Sequence, residues 1–385
     1  MIVVGEVSGD THAAKLVNAL RELAPDTDFE FFGTTSEKLR EAGAETIVSA
    51  DNLSIVGLPE IARALPMFWR MFQDLKKAAD ERKPDVVILV DFPDFNLKLA
   101  KALKKKGFRV IYYISPQLWA WRKYRAKTIE NYVDLLLTIL PFEKDWYQRR
   151  GIAHVQYVGN PLAGEVQPRG TKEEFCRKHN LDSSKQIIAL LPGSRHKEIV
   201  RILPLMLETA ALMTRENADL QFVIALPTTR KKSEVETAIN QARQKKIKVP
   251  PNLLIVQNET HEAINAADVA AVTSGTATLE TAIIGTPMAI VYKTSGFNYK
   301  LLRPLIDVEH FGLINLIAQE SVAKELIQNE FTKESLSAEL FRLLEPENNQ
   351  KMRERLSEVT ETLGHGGTAK KAARIVLEFL RNGKR

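Results

Sequence analysis

Four short stretches bring together residue types that can do chemistry. The first is Asp91-Phe92-Pro93-Asp94-Phe95-Asn96, directly after the apolar run Val86–Val90. A carboxylate at the end of a buried strand is partly desolvated, which raises its proton affinity and suits a general base. Asp91 is the better placed of the two aspartates, and Asp94 or Asn96 would cap the helix beginning near Leu97; capping is also the competing role for Asp91 itself. The second stretch is Leu191-Pro192-Gly193-Ser194-Arg195. Gly193 and Ser194 open a helix N-terminus, where N–H groups and the helix dipole favour an anion, and Arg195 adds a permanent charge with bidentate geometry for phosphate. The third is Ser274-Gly275-Thr276, between an apolar run ending at Val272 and a short helix carrying Glu280. Small residues there let a phosphate approach the backbone, and Glu280, one turn on, could reach the hydroxyls of a ribose. The fourth is Gly5-Glu6-Val7-Ser8-Gly9-Asp10, which either admits a ligand to the backbone or is a plain turn capped by Ser8 or Asp10. It is neither the dinucleotide fingerprint G-x-G-x-x-G nor the G-x-S-x-G elbow.

The second and third stretches together would hold a pyrophosphate between two helix N-termini, as half of a sugar-nucleotide site. No metal and no cofactor are expected. The one tight Asp-x-Asp, Asp26-Thr27-Asp28, follows Pro25 in a turn, and the seven histidines form no ligand spacing such as H-E-x-x-H.

The elements that must position these groups alternate along the chain. Strands are expected at 2–5, 28–32, 86–90, 109–113, 135–140 and 155–158, with helices at about 10–24, 36–43, 58–82, 95–107, 120–131 and 142–150. Short continuous apolar runs are typical of strands covered on both faces. After the breaker-rich linker GNPLAGEVQPRG at 159–170 the alternation restarts, with strands at 186–191, 220–225, 252–256, 268–272 and 287–292 and later helices from about 319 to 382. The pattern predicts an α/β chain of two Rossmann-like, doubly wound parallel-sheet domains facing a cleft. Boundaries are expected at 1–164 and 165–363, with a helical segment, 364–385, that crosses back to the first domain or to a partner subunit. Ligands of open parallel sheets lie outside the carboxyl ends of strands, which is where all four stretches fall.

A chain of 385 residues with 44% hydrophobic and 26% charged residues is that of a globular protein of two domains. No apolar run approaches the ~18 residues of a membrane span. The N-terminal Met1-Ile2-Val3-Val4 lacks a basic lead and reads as a first strand, not a signal peptide. A single cysteine, Cys176, excludes an intramolecular disulfide and suits a reducing compartment. The net charge of +6 suits an anionic partner, and charge alone does not choose between nucleic acid and an anionic lipid surface. One stretch is unusual: Ile55-Val56-Gly57-Leu58-Pro59 leads to Leu65-Pro66-Met67-Phe68-Trp69-Arg70-Met71-Phe72, followed by Lys76 and Lys77. Met67, Phe68, Trp69, Met71 and Phe72 are either a buried helix face or a segment that dips into a lipid surface beside its basic residues.

Seven blocks then carry a resemblance: GEVSGD (5–10), DFPDFN (91–96), ISPQLWAWR (114–122), LPFEK (140–144), LLPGSR (190–195), SGTATLE (274–280) and FGLINLIA (311–318). In this order and spacing, over nearly the whole chain, they resemble the bacterial lipid-A-disaccharide synthase family. The resemblance implies an inverting glycosyltransferase of the GT-B fold, working without metal at the cytoplasmic face of the inner membrane as a peripheral protein. It implies transfer of 2,3-diacylglucosamine from UDP-2,3-diacylglucosamine to 2,3-diacylglucosamine 1-phosphate, giving a β-1,6-linked disaccharide and UDP. By position, Asp91 matches the essential aspartate, the base for the acceptor 6-hydroxyl. Glu6 matches the acidic residue of the first loop, and Arg195 the arginine at the donor phosphates. Glu280 stands where related enzymes bind the ribose, and Asn315 matches an asparagine of a PNL-like block that here reads Ile314-Asn315-Leu316. The donor side thus gathers Gly193, Ser194, Arg195, Ser274, Gly275, Thr276, Glu280 and Asn315; the acceptor side gathers Ser8, Gly9, Asp10 and Asn96. Partners would be the two acylated substrates and the lipid surface, without nucleic acid, and with room for a homodimer.

Three other readings stay open to test. A UDP-N-acetylglucosamine 2-epimerase would form an epimer with no acceptor. A nicotinamide-dependent oxidoreductase would bind NAD, and a non-catalytic nucleotide sensor would bind UDP-sugar without turnover.

Overall fold

The computed structural model describes residues 1–51, 58–227, 230–244, 246–247, 249–295 and 309–382. Residues 55–57 of the aromatic approach segment lie outside them. Two compact units result, Met1–Pro161 with His365–Arg385, and Leu162–Gly364.

The first unit is a seven-stranded sheet in the order β3-β2-β1-β4-β5-β6-β7, with every neighbouring pair parallel. Its strands are β1 (Ile2–Val3), β2 (Phe32–Thr35), β3 (Glu45–Ser49), β4 (Val87–Val90), β5 (Val110–Tyr113), β6 (Leu135–Thr138) and β7 (Val155–Tyr157). Between them run α1 (Val7–Leu23), α2 (Glu37–Glu41), α3 (Leu58–Arg82), α4 (Pro93–Lys104), α5 (Ala126–Tyr132) and α6 (Pro141–Gln148). The central strands are wholly buried, as continuous runs such as Val-Ile-Leu-Val in β4 require. The helix Thr368–Asn382 packs against α1 in this unit, burying Ala372, Ala373 and Val376. Arg109 lies over the Phe379 ring, 4.0 Å from its centroid.

Two elements differ from the sequence reading. β2 starts at Phe32, not near Asp28, because its Gly-Thr-Thr is polar in type yet buried in place. A side chain at Gly33 would stand 1.9 Å from the Ile2 carbonyl, so glycine is what lets β2 lie against β1. β3 is an edge strand with a mostly exposed pattern, and no apolar run announces it.

The second unit holds a six-stranded sheet in the order β10-β9-β8-β11-β12-β13, again all parallel. The strands are β8 (Ile187–Leu191), β9 (Gln221–Leu226), β10 (Leu253–Gln257), β11 (Val269–Thr273), β12 (Met288–Tyr292) and β13 (Glu325–Ile327). Helices include α7 (Leu162–Glu165), α8 (Lys172–His179), α9 (His196–Glu216), α10 (Lys232–Gln244), α11 (Thr260–Ala266) and α12 (Thr276–Ile284). β13 replaces the helix expected near 319–328: Glu-Leu-Ile gains its extended form only by pairing with β12. Among the described residues no helix is long and apolar enough to cross a membrane.

Candidate active site

In each sheet the strand order reverses once, between β1 and β4 and between β8 and β11. Loops after such strands diverge and open a crevice, where ligands of this architecture sit. The four chemistry-bearing stretches are the loops that follow these four strands.

In the first unit, Gly5–Asp10 follows β1 and Asp91–Asn96 follows β4. Asp91 and Phe92 both take left-handed backbone angles, with φ of 48° and 51°. Such strain in non-glycine residues costs on the order of 1–3 kcal/mol each and persists only where the surroundings enforce it. Here they do. The Asp91 carbonyl accepts from the Tyr112 hydroxyl at 2.6 Å and from the Asn96 side-chain amide at 2.8 Å. The Phe92 ring lies over Gly5, where an added side chain would meet it at 2.1 Å. Phe95 stacks on it with centroids 5.4 Å apart, and Phe68 of α3 packs on both. The Asp91 carboxyl is pushed up to about 6, first by burial and then by the charge of Glu6, against a backbone N–H of Phe92 that favours the anion. A carboxylate tuned this close to neutrality is what a general base requires.

Several expected contacts turn out to be structural. Asp10 is buried, and its carboxylate accepts from the backbone N–H groups of Ser36 (2.7 Å), Lys38 (2.8 Å) and Leu39 (3.2 Å). It caps α2, a task that removes it from the acceptor side. Asn96 is also buried, and its side-chain NH2 donates to the Val90 and Asp91 carbonyls, which shapes the turn. Ser8 and Gly9 belong to the first turn of α1, Ser8 exposed and Gly9 buried. Of the α3 residues, Met71 is in the core, and Phe68 and Phe72 pack on Phe92 and Phe95. Met67 and Trp69 are the ones at the surface, with Leu65 beside them; Trp69 is 65% exposed.

A buried acid that residue type alone does not single out stands behind the third loop of this unit. Glu143 on α6 accepts from Trp119 Nε1 at 3.1 Å and from the backbone of Ile139 and Leu140 at 3.2 and 3.0 Å. Burial pushes it up to about 7. It pins the 115–122 loop after β5, together with a 2.9 Å contact between the Ser115 and Tyr147 hydroxyls.

In the second unit a cavity of about 760 Å³ opens between the ends of β8 and β11. Gly193, Ser194, Arg195, Ser274, Gly275, Thr276 and Glu280 all line it. α12 starts at Gly275 without a side-chain cap, so its N-terminal end faces the cavity with its dipole uncompensated by a side chain. The α9 terminus is different. Glu198 accepts from the Ser194 and Arg195 N–H groups at 3.0 and 3.1 Å, and from the Arg195 guanidinium at 3.0 Å. Its carboxylate satisfies the amides expected to meet phosphate, and Arg195 remains 76% exposed at the rim. Glu280 is partnered by His261 of α11 at 3.3 Å, a residue whose role only the folded cavity reveals.

Asn315 does not reach this cavity. It is fully buried, and its amide bonds Ala323 at 2.7 and 2.9 Å and Glu325 at 2.9 Å. Glu325 in turn accepts from the backbone of Phe311 and Gly312 at 2.8 and 2.9 Å. The Phe311 carbonyl takes the Ser274 hydroxyl at 2.8 Å. Asn315 thus braces the wall behind the loop, with its side-chain bonds made inside the protein. Among the described residues no cluster of three His, Cys, Asp or Glu side chains has the geometry of a metal site.

Two parallel α/β units, each opening its loops at the point of strand reversal, with an uncapped helix N-terminus at the cavity of the second, define the GT-B class of nucleotide-sugar enzymes. Solved structures share that fold: a UDP-N-acetylglucosamine 2-epimerase from Listeria monocytogenes described as putative (TM-score 0.65, 15% identity, 99% of this chain and 96% of that one), and the glycosyltransferase of kitacinnamycin (TM-score 0.61, 15% identity, 98% and 97%). The family model of lipid-A-disaccharide synthetase matches residues 1–379, and the lipid-A-disaccharide synthase of Trichlorobacter lovleyi is 41% identical over 381 residues, 99% of this chain and 97% of that one. The chain belongs to the lipid-A-disaccharide synthetase family.

Proposed function

We propose that the protein transfers 2,3-diacylglucosamine from its UDP derivative to 2,3-diacylglucosamine 1-phosphate, with inversion at the anomeric carbon. Asp91 removes the proton of the acceptor 6-hydroxyl as that oxygen attacks C1. The bond from C1 to the UDP oxygen breaks in the same step, and the leaving diphosphate takes the electron pair. Arg195 and the α12 terminus offset that growing charge, while Glu280 holds the ribose. Glu6 contributes through its charge on Asp91. The observation that carries this reading is the Asp91 turn, a strained, braced backbone that holds a near-neutral base at the point of strand reversal.

Incubation with both acylated substrates and mass analysis of the product tests the reading; absence of the disaccharide would sink it, and an epimer formed from donor alone would point to the other chemistry. Asp91→Asn should abolish turnover while UDP still binds, because the donor cavity is built wholly from the second unit. Full activity in that variant would remove Asp91 as the base.

Both substrates carry acyl chains, and the exposed Leu65, Met67 and Trp69 on α3 give them and the enzyme a lipid surface to meet. Peripheral association with the inner membrane is part of the same reading.

A further inference from the structure

The donor cavity holds a histidine for which the mechanism above has no use. His261 sits at the start of α11 with its ring 31% exposed, and its Nε2 lies 3.3 Å from Glu280 Oε2 on the opposite helix. Both side chains line the cavity. We propose that His261 is a positioning residue of the donor site: its imidazole orients the Glu280 carboxylate toward the ribose and, when protonated, offsets that carboxylate's charge against the incoming diphosphate. The proposal rests on the donor reading of the same cavity.

The ionisable neighbours define what the proton does. From α12 comes Glu280; Glu262 and Glu259 belong to the start of α11 itself. From α8, Lys178 and His179 both bond Glu259, at 2.7 and 3.1 Å, away from the cavity wall. Strands β8, β9 and β10 carry no ionisable side chain. The preceding segment contributes Glu165 and Arg169, and the α9 end contributes Arg195 and Glu198. The hydrogen bond to Glu280 raises the His261 pKa, with the charges of Glu280 and Glu262 adding to the effect and burial opposing it. Below that raised value the pair is imidazolium and carboxylate; above it the carboxylate loses that partner charge, while Glu165, Glu198 and Glu262 also line the cavity. Affinity for a nucleotide diphosphate should therefore fall as pH rises through the His261 titration.

Calorimetric titration with UDP-N-acetylglucosamine between pH 6 and 8 reads this directly. Its diphosphate is esterified at both ends, so it lacks the terminal phosphate group that titrates near pH 6 in UDP. The wild type should bind roughly fivefold more weakly at the upper pH, the size expected of one partly buried charge pair. His261→Asn should be flat across the range, at the weak wild-type level. Glu280→Gln should bind more weakly and move the midpoint down, since His261 loses its partner; this variant keeps the test open should His261→Asn fail to fold. A step that survives in His261→Asn, or a wild type without one, overturns the proposal. A wild type that binds neither UDP nor UDP-N-acetylglucosamine overturns the donor reading instead.

Discussion

Asp91 is held in a state that costs the fold something. Its carboxyl titrates near 6 in place of the ordinary 3.8, because burial and the Glu6 charge both disfavour the anion. For an acid whose folded pKa is raised, the penalty is absent below the unfolded value and fully present above the folded one. Asp91→Asn should thus stabilise the protein by about 1–3 kcal/mol at pH 8 and by little at pH 4, read from melting curves at the two pH values. Equal stabilisation at both would show that charge is not the cause. On the proposed mechanism the same tuning sets the reaction's pH profile: as the base must be ionised, kcat/KM for the acceptor at saturating donor should rise with pH and level off above about 6. Glu6→Gln removes the second contributor to that shift, and the acidic limb should move to lower pH with the plateau intact. An unmoved limb, or a lost plateau, would give Glu6 a direct part in the chemistry.

The loops after β1 and β4 work as one element because Phe92 closes on Gly5. An added methyl at Gly5 would meet the ring at 2.1 Å, inside any real contact distance. Gly5→Ala should force the ring off its stack with Phe95 and Phe68, costing about 1–3 kcal/mol of stability as overpacking does. Turnover should fall further than stability predicts, since the Asp91 turn is tied to that ring. A fully active Gly5→Ala variant would show that the turn holds without it. Composition left α3 as either core or lipid-facing, and the helix is buried on one side and exposed on the other. Met71 is 2% exposed while Trp69, two residues earlier, is 65% exposed. That split follows from the helical period, in which residues two apart point away from one another.

Among the described residues, α3 exposes Leu65 and Trp69 one turn apart on the same face, with Met67 also exposed between them in sequence. Leu65→Glu with Trp69→Glu should release the enzyme from vesicles of anionic phospholipid in a sedimentation assay, at unchanged melting temperature, because neither side chain is in the core. Unchanged sedimentation would remove α3 as the lipid contact. Phe72, by contrast, is no test of the membrane, since its ring packs edge-on against Phe95. Much of this was legible along the chain. Apolar runs followed by small or charged residues marked β4, β8 and β11 and the loops that carry Asp91, Arg195 and Ser274. β3 and β13 were not legible, because short strands with polar or mixed residues become strands only through a partner. The same limit applied to side chains. Asp10, Asn96 and Asn315 have the right types for a site, but type does not say which backbone groups a fold will bring to them. Residue type, spacing and strand-to-loop order are local properties, and they determined the class of chemistry and the loops that carry it. The reversal of strand order, burial, and pairs such as His261 with Glu280 join residues distant in sequence, so only the tertiary structure decided which of the candidates line the cavity and which hold the wall behind it.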